Sequence, residues 1–294
     1  MSAKIIDGKA VAKQVKDEIK AEVAGFIDDT NEAPHLVAII VGEDPASQTY
    51  VASKERAAKS VGITSSIYKF PDDVTEDELL ETINFINNDE EIDGLIVQLP
   101  LPSHIDVDKV IESIDPGKDV DGFHPVNVGK MAVGQDSFIS ATPAGVMELL
   151  KRNKIPTESK HCVVLGRSNI VGSPLSILMS KKTNPGNSTV TLCHSKTENL
   201  NEITRQADIL IAAIGVPTFV KADMVKDNAV VIDVGIHRLP AENDKGYIIA
   251  GDVDYEEVSK KASYITPVPG GVGPMTIAML LWNTLKSFKI KKGL

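Results

Sequence analysis

Cys162-Val163-Val164-Leu165-Gly166-Arg167-Ser168-Asn169-Ile170-Val171-Gly172 is the stretch on which the fold turns. An apolar run stops at Gly166 and a second glycine stands at Gly172, as in a buried strand that passes through a tight turn into a helix. In an open α/β sheet such a turn presents helix N-terminal N–H groups to the phosphates of a dinucleotide. The turn is not Gly-x-Gly-x-x-Gly. Arg167 and Ser168 stand where the second glycine would fall, which keeps the backbone farther from a pyrophosphate. A turn retained only for packing would carry the same letters.

Downstream, strands are expected at residues 162–165, 189–193, 209–213 and 229–234, with helical segments between them. Such alternation means a mostly parallel sheet covered on both faces. Upstream, Val11, Val15, Ile19 and Val23 form a helical stripe, and Leu36 to Val41 read as a strand that stops at Gly42. Asp44-Pro45 is an N-cap and first helical position for a helix that stops at Gly62. Thr75 and Glu78 match a capping box before the stripe Leu79, Ile83, Ile86, and a strand is expected over Gly94 to Pro100. A helix through Val107, Val110 and Ile111 precedes a turn-rich segment, Asp115 to Gly122, and another helix starts at Thr142-Pro143. The last helix, Pro274 to about Lys289, is expected to pack back onto the first half.

The fold class is therefore α/β with two α/β domains, the C-terminal one a Rossmann-type doubly wound parallel sheet. Residues 1–120 with a C-terminal helix over about 275–294 are expected to form one domain, and residues 121–274 the nucleotide-binding one. A length of 294 residues suits two domains of ordinary size.

Lys and Arg number 31 against 41 Asp and Glu, a net charge of −10, which disfavours nucleic acid and acidic membrane surfaces as partners. Small-molecule chemistry is the better reading. Cys162 and Cys193 lie in strand-like runs with no second ligand nearby, so neither a disulfide framework nor a metal site is indicated. The start, Met1-Ser2-Ala3-Lys4-Ile5, lacks the apolar stretch of a signal peptide, and no apolar run approaches the roughly 20 residues that span a bilayer. A soluble, cytoplasmic protein is expected.

Chemistry concentrates in the first half. Tyr50 and Lys54 stand four residues apart on one helix face, just after a strand's carboxyl end, where open sheets bind ligands. A lysine held against apolar surface loses preference for its ammonium form and can accept a proton near neutral pH. An i,i+4 Tyr/Lys pair on a solvated surface helix would look the same. Short-chain dehydrogenases also use Tyr-x-x-x-Lys, but there the pair follows the nucleotide turn, the reverse of the order here. Gln98 closes an apolar strand and serves either a loop hydrogen bond or the site. Asp119 and Asp121 are either Asx-turn formers or functional carboxylates.

Two further segments bear on a ligand. At the tip of the strand after the glycine turn stand His194, Ser195 and Lys196, with no acid to hold a ribose 2′-hydroxyl. With Arg167 nearby, a 2′-phosphate is attracted, which favours NADP over NAD. Pro269-Gly270-Gly271-Val272-Gly273 precedes Pro274 and is either an anion-binding helix N-terminus or a close-packing turn. None of the six histidines falls in a recognisable catalytic triad.

Five motifs in order, Tyr50-Val-Ala-Ser-Lys54, Asp93 to Pro102, Lys118-Asp-Val-Asp121-Gly122, Gly166 to Gly172 and Thr266 to Met275, resemble the bifunctional methylenetetrahydrofolate dehydrogenase/methenyltetrahydrofolate cyclohydrolase family over nearly the whole chain. The resemblance implies a folate cleft between two α/β domains, NADP in the C-terminal one, a homodimer formed through the nucleotide domains, and a place in one-carbon metabolism that feeds purine biosynthesis. It implies that Lys54 is the proton-transfer group of the cyclohydrolase, that Gln98 hydrogen-bonds and tunes it, and that Tyr50 packs on the folate. Asp121 would anchor the pterin edge, Val97 and Leu99 would line the folate site, and Pro269 to Gly273 would contribute to it. Gly166, Arg167, Ser168, Ser195 and Ile236 would contact NADP. Relatives that use NAD with phosphate and magnesium carry a strand-tip arginine that is missing here, so no metal is implied. The segment Lys181 to Ser188 is longer than the usual connection in the family. A monofunctional NAD(P)-dependent dehydrogenase of the same fold is the alternative, and a nucleotide-sensing module would not explain the amine, carboxamide and carboxylate of the first half.

Overall fold

The structure, a computed structural model, describes residues 3–243 and 246–294. Met1 and Ser2, the head of the N-terminal segment read above, lie outside the described residues. In chain order the first elements are β1 (Lys4–Ile5), α1 (Gly8–Thr30), β2 (His35–Val41), α2 (Pro45–Ser60), β3 (Thr64–Phe70), α3 (Glu76–Asn88), β4 (Gly94–Val97), α4 (Val107–Ser113) and α5 (Pro125–Val133). They are followed by α6 (Ala141–Arg152), β5 (His161–Leu165), α7 (Gly172–Ser180), β6 (Thr189–Cys193), α8 (Leu200–Thr204), β7 (Ile209–Ala212) and β8 (Val230–Asp233). The last are β9 (His237–Pro240), β10 (Tyr247–Ala250), α9 (Tyr255–Val258), β11 (Tyr264–Ile265) and α10 (Val272–Lys292). No helix among the described residues is long and apolar enough to cross a membrane.

Packing divides the chain into two compact units, Lys13–Ala141 with Ile277–Leu294, and Met1–Ala12 with Thr142–Thr276. These limits differ from those expected from sequence, for two physical reasons. Residues 3–12 go with the nucleotide turn because β1 extends its sheet, pairing in parallel with β11. Residues 121–141 stay with the first sheet because the Asn283 side-chain amide in α10 donates to the carbonyls of Val120 and Ile139, both at 2.9 Å.

The unit that includes Lys13–Ala141 is built on a three-stranded parallel sheet in the order β3-β2-β4. Its core gathers Val37, Ile39, Leu79, Ile83, Leu95 and Val110. At the head of α2 the Asp44 carboxylate accepts the Ser47 N–H at 2.7 Å and Pro45 supplies the first helical residue. The buried side chains of α2 are Ser47, Val51, Lys54 and Ala58, so the helical repeat sets Lys54 on the face turned inward. The capping box at α3 forms as its letters indicate, with Thr75 and Glu78 satisfying each other's N–H groups. β4 stops at Val97, short of the expected Pro100, which leaves Gln98 in the loop beyond its carboxyl end.

The unit that includes Thr142–Thr276 carries a six-stranded sheet in the order β1-β11-β8-β7-β5-β6. Every pairing in it is parallel, so all its carboxyl ends lie along one edge. β5 has β6 on one side and β7 on the other, and the reversal of strand order between β5 and β7 creates the crevice in which such sheets bind ligands. An antiparallel β9–β10 hairpin follows β8.

Candidate active site

Lys54 is 5% exposed, a rare state for a lysine. Its amine donates to the Gln98 side-chain carbonyl at 3.3 Å and lies 4.8 Å from the centre of the Tyr50 ring. Gln98 is fixed in turn: its side-chain amide donates to the Leu99 carbonyl at 2.6 Å and its N–H to the Ile39 carbonyl at 2.9 Å. The amine thus faces a neutral acceptor and an aromatic ring in a dry setting. Burial lowers its pKa from the ordinary lysine value, and the Asp121 charge opposes that shift only in part.

The two aspartates of the turn-rich segment part company. Asp119 is buried and accepts the N–H groups of Gly122, Phe123 and His124 and the Asn127 side-chain amide at 2.8–3.2 Å. It organises the loop. The Asp121 carboxylate accepts no hydrogen bond from a described residue, keeps part of its surface accessible, and is crowded enough that desolvation pushes its pKa up, against the pull of Lys54. A parallel bridge between Leu95 and Asp119 runs this loop beside β4. Val97, Leu99, Asp121 and Phe123 line one narrow recess there. The structure therefore brings Tyr50, Lys54 and Gln98 into contact and places Val97, Leu99 and Asp121 around a common recess in the same unit.

The residues expected around a dinucleotide come together at the carboxyl edge of the six-stranded sheet. Gly166 follows β5 with φ +116°, and a Cβ there would sit 2.0 Å from the Ala213 carbonyl oxygen. A Cβ on Gly172 would sit 1.9 Å from the Gly166 carbonyl oxygen, so both glycines permit a close approach of strand, turn and helix. Arg167 and Ser168 are exposed on this turn, Ser195 is exposed just beyond β6, and Ile236, 67% exposed, lies just beyond β8. Pro269 to Gly273 leads from the end of β11 into α10, where a Cβ on Gly271 would sit 2.6 Å from the Pro267 carbonyl oxygen. A glycine cradle, exposed cationic and hydroxyl donors, and no acid at the β6 tip fit a dinucleotide with a 2′-phosphate.

Other groups of this edge escaped the sequence reading. Asp233 and Asp252, both buried, stitch its loops together. Asp233 accepts the N–H groups of Gly235, Asp252 and Val253 at 2.9–3.0 Å, and burial raises its pKa to about 6 although these donors pull the other way. The signal was present in Asp233-Val-Gly235 and Gly251-Asp252-Val253, two acid and glycine pairings. Among the described residues no group of three or more His, Cys, Asp or Glu side chains is arranged to hold a metal ion.

The geometry has counterparts among known proteins. Residues 6–121 match the family model for the tetrahydrofolate dehydrogenase/cyclohydrolase catalytic domain, and residues 140–292 match that for the NAD(P)-binding domain. The bifunctional protein FolD of Flavobacterium johnsoniae is 58% identical over 290 residues, covering 98% of each chain. The crystal structure of the bifunctional enzyme FolD from Campylobacter jejuni superposes with a TM-score of 0.92 at 49% identity, over 98% of this chain and 99% of that one. The Trypanosoma brucei methylenetetrahydrofolate dehydrogenase-cyclohydrolase, solved with NADP cofactor and inhibitor, gives a TM-score of 0.94 at 39% identity, with both chains covered in full.

Proposed function

The chain belongs to the tetrahydrofolate dehydrogenase/cyclohydrolase family, and from that premise we propose that it oxidises 5,10-methylenetetrahydrofolate with NADP and hydrates the methenyl product to 10-formyltetrahydrofolate. The observation that carries this reading is the buried Lys54 amine, held by Gln98 and Tyr50 and shifted toward its neutral form.

Bound NADP supplies the acceptor for the two electrons and proton lost by the methylene carbon. The folate nitrogens stabilise the cation left behind, so the chain need provide only orientation for that step. Gly166, Arg167, Ser168, Ser195 and Ile236 are assigned to hold the dinucleotide, with Arg167 and Ser195 on the 2′-phosphate. Asp121, whose carboxylate meets no donor among the described residues, is assigned to accept hydrogen bonds from the amino-pyrimidine edge of the pterin. Val97, Leu99 and residues Pro269 to Gly273 are assigned to the folate surroundings, and Tyr50 to packing on the folate.

Hydration needs a base. Water oxygen bonds to the methenyl carbon and gives one proton to Lys54. As the carbonyl forms, the bond from that carbon to N5 breaks, N5 takes up a proton, and one proton in total is released to solvent. Gln98 is suited to holding the amine without charging it. The rate of this step should rise with pH as Lys54 loses its proton and level off above its pKa. Because burial lowers that pKa, the rise should fall well below the ordinary lysine range. A cyclohydrolase rate profile between about pH 5 and 10, corrected for spontaneous hydrolysis, checks this, and a profile still climbing at its alkaline end would contradict it.

A coupled assay of purified protein with methylenetetrahydrofolate and either NADP or NAD tests the whole reading. Reduced cofactor should appear with NADP while the methenyl absorbance stays transient. A methenyl species that accumulates would leave a monofunctional dehydrogenase. We further take the protein to be a cytoplasmic homodimer, formed through the nucleotide-binding units and supplying one-carbon groups for purine biosynthesis. Its two free, buried cysteines suit a reducing compartment.

A further inference from the structure

The side chain of Asp252 is fully buried, and its carboxylate is engaged by the loop after β7 and by the first residue of β9, both beyond the carboxyl edge of the six-stranded sheet. One carboxylate oxygen accepts the N–H groups of Ile214 and Gly215, at 2.7 and 3.1 Å. These belong to the loop after β7, which faces the Gly166 turn across the switch point of the sheet. The other oxygen lies 2.7 Å from His237 Nε2. An ionised carboxylate only accepts, so Nε2 carries a proton in this contact. His237 directly follows Ile236, the exposed apolar residue at the end of the loop after β8.

Asp252 is itself held. Its N–H donates to Asp233 Oδ1 at 2.9 Å, and its carbonyl accepts the Val220 N–H at 2.9 Å. The fit leaves no spare room: a Cβ on Gly235 would sit 2.3 Å from Asp252 Oδ1, and one on Gly251 would sit 1.9 Å from Asp233 Oδ2. An isoleucine exposed to solvent is ordinarily free to wander. Here its neighbours on both sides are tied down, Gly235 to Asp233 at 3.0 Å and His237 to Asp252.

We propose that Asp252 is a positioning residue for the dehydrogenase reaction: through one carboxylate it fixes the Ile214–Gly215 turn and, by way of His237, the Ile236 loop, so that two walls of the dinucleotide site are set before the cofactor arrives. Such preorganisation acts on cofactor affinity, because loops that must be ordered on binding charge that cost to the ligand. Chemistry on the folate should be left alone, since the buried Asp252 carboxylate is taken up by Ile214, Gly215 and His237. The inference rests on the functional reading above, and the two activities let it be tested separately from folding.

The test compares wild type with Asp252→Asn, His237→Leu and His237→Gln, measuring NADP affinity by titration, both dehydrogenase constants, and cyclohydrolase activity on methenyltetrahydrofolate without NADP. Asparagine keeps the shape but offers a neutral acceptor, and charge-assisted hydrogen bonds are about twice as strong as neutral ones. Asp252→Asn should raise the KM and Kd for NADP by about tenfold, with dehydrogenase kcat and cyclohydrolase kcat within about threefold of wild type, a loss of roughly one decade for weakened hydrogen bonds to a charged group. His237→Leu should raise the KM for NADP as well, and His237→Gln, which keeps a donor, should restore most of it. NADP constants within twofold of wild type in both Asp252→Asn and His237→Leu, or a parallel fall of every constant in both activities, would overturn the assignment. Should Asp252→Asn not fold, the two His237 variants decide alone. Wild type without NADP-dependent oxidation would instead overturn the functional reading on which the assignment stands.

Discussion

Replacement of Lys54 by methionine should lower cyclohydrolase turnover by a factor on the order of 10² to 10⁴, the range a positioned proton-transfer group contributes. NADP-dependent oxidation of methylenetetrahydrofolate should remain measurable. The asymmetry follows from the chemistry: the oxidation leaves a cation that the folate nitrogens stabilise unaided, whereas the hydration must take a proton from water. Methionine is chosen because it fills a similar volume without a charge or a strong donor. Lys54 is buried on the inward face of α2 beside Val51 and Ala58, so the exchange removes an expensive polar group from a dry position and need not unfold the unit. Stopped-flow or steady-state assays of both half-reactions on the same preparation decide the matter. Equal loss of both activities would show that the amine positions substrate instead of moving protons.

The second large effect concerns the cofactor. Arg167→Ala should raise the KM for NADP by about 10- to 100-fold, the equivalent of losing about 1.5–3 kcal/mol of hydrogen bonding to a charged group. The KM for folate should stay within about twofold, and the KM for NAD should hardly move, because NAD lacks the 2′-phosphate that the guanidinium is assigned to meet. Arg167 is exposed on the turn after β5, where its long side chain is free to reach a ligand. Added salt should erode the wild-type preference for NADP and leave the variant nearly insensitive, since the contact is electrostatic and solvent-exposed. An Arg167→Ala enzyme with unchanged NADP dependence would refute the 2′-phosphate assignment.

Elements whose burial is complete were readable from the letters alone. The strands β5, β7 and β8 each carry an unbroken buried apolar run, over Cys162 to Leu165, Ile209 to Ala212 and Val230 to Ile232, and β2 follows Pro34 and stops before Gly42. The β3 edge strand, Thr64–Phe70, carries Ser65, Ser66 and Lys69 and is mostly half-buried, so its period is too weak to read without its partner β2. Helix α5 is short, and its N-cap is the His124 ring, which accepts the Val126 N–H at 3.1 Å in a role usually taken by Ser, Thr, Asp or Asn. The β9–β10 hairpin alternates partly exposed side chains and lacks an Asn-Gly or Asp-Gly pair at its tip.

In the site, the helical repeat was enough to put Tyr50 and Lys54 on one face, and the end of an apolar strand to mark Gln98. The division of labour between Asp119 and Asp121 was not legible in their spacing, and only the family resemblance singled out Asp121. It depends on which carboxylate captures the N–H groups of Gly122, Phe123 and His124, and that is settled by three-dimensional folding of a loop. Asp252 was invisible for a related reason: its donors, Ile214, Gly215 and His237, are far from it in sequence.

The acceptor that meets the Lys54 amine is a carboxamide, and the difference from a carboxylic acid is one heavy atom. A glutamate at position 98 would be nearly superimposable in shape, yet it would form a salt link that locks the lysine in its cationic state across the physiological range. The enzyme would then hold a well-folded pocket that turns over only in alkali. On the proposed role of Lys54, neutrality of that one partner would keep the proton carrier rechargeable, and position 98 becomes a place where a substitution that preserves volume should still suppress turnover near neutral pH.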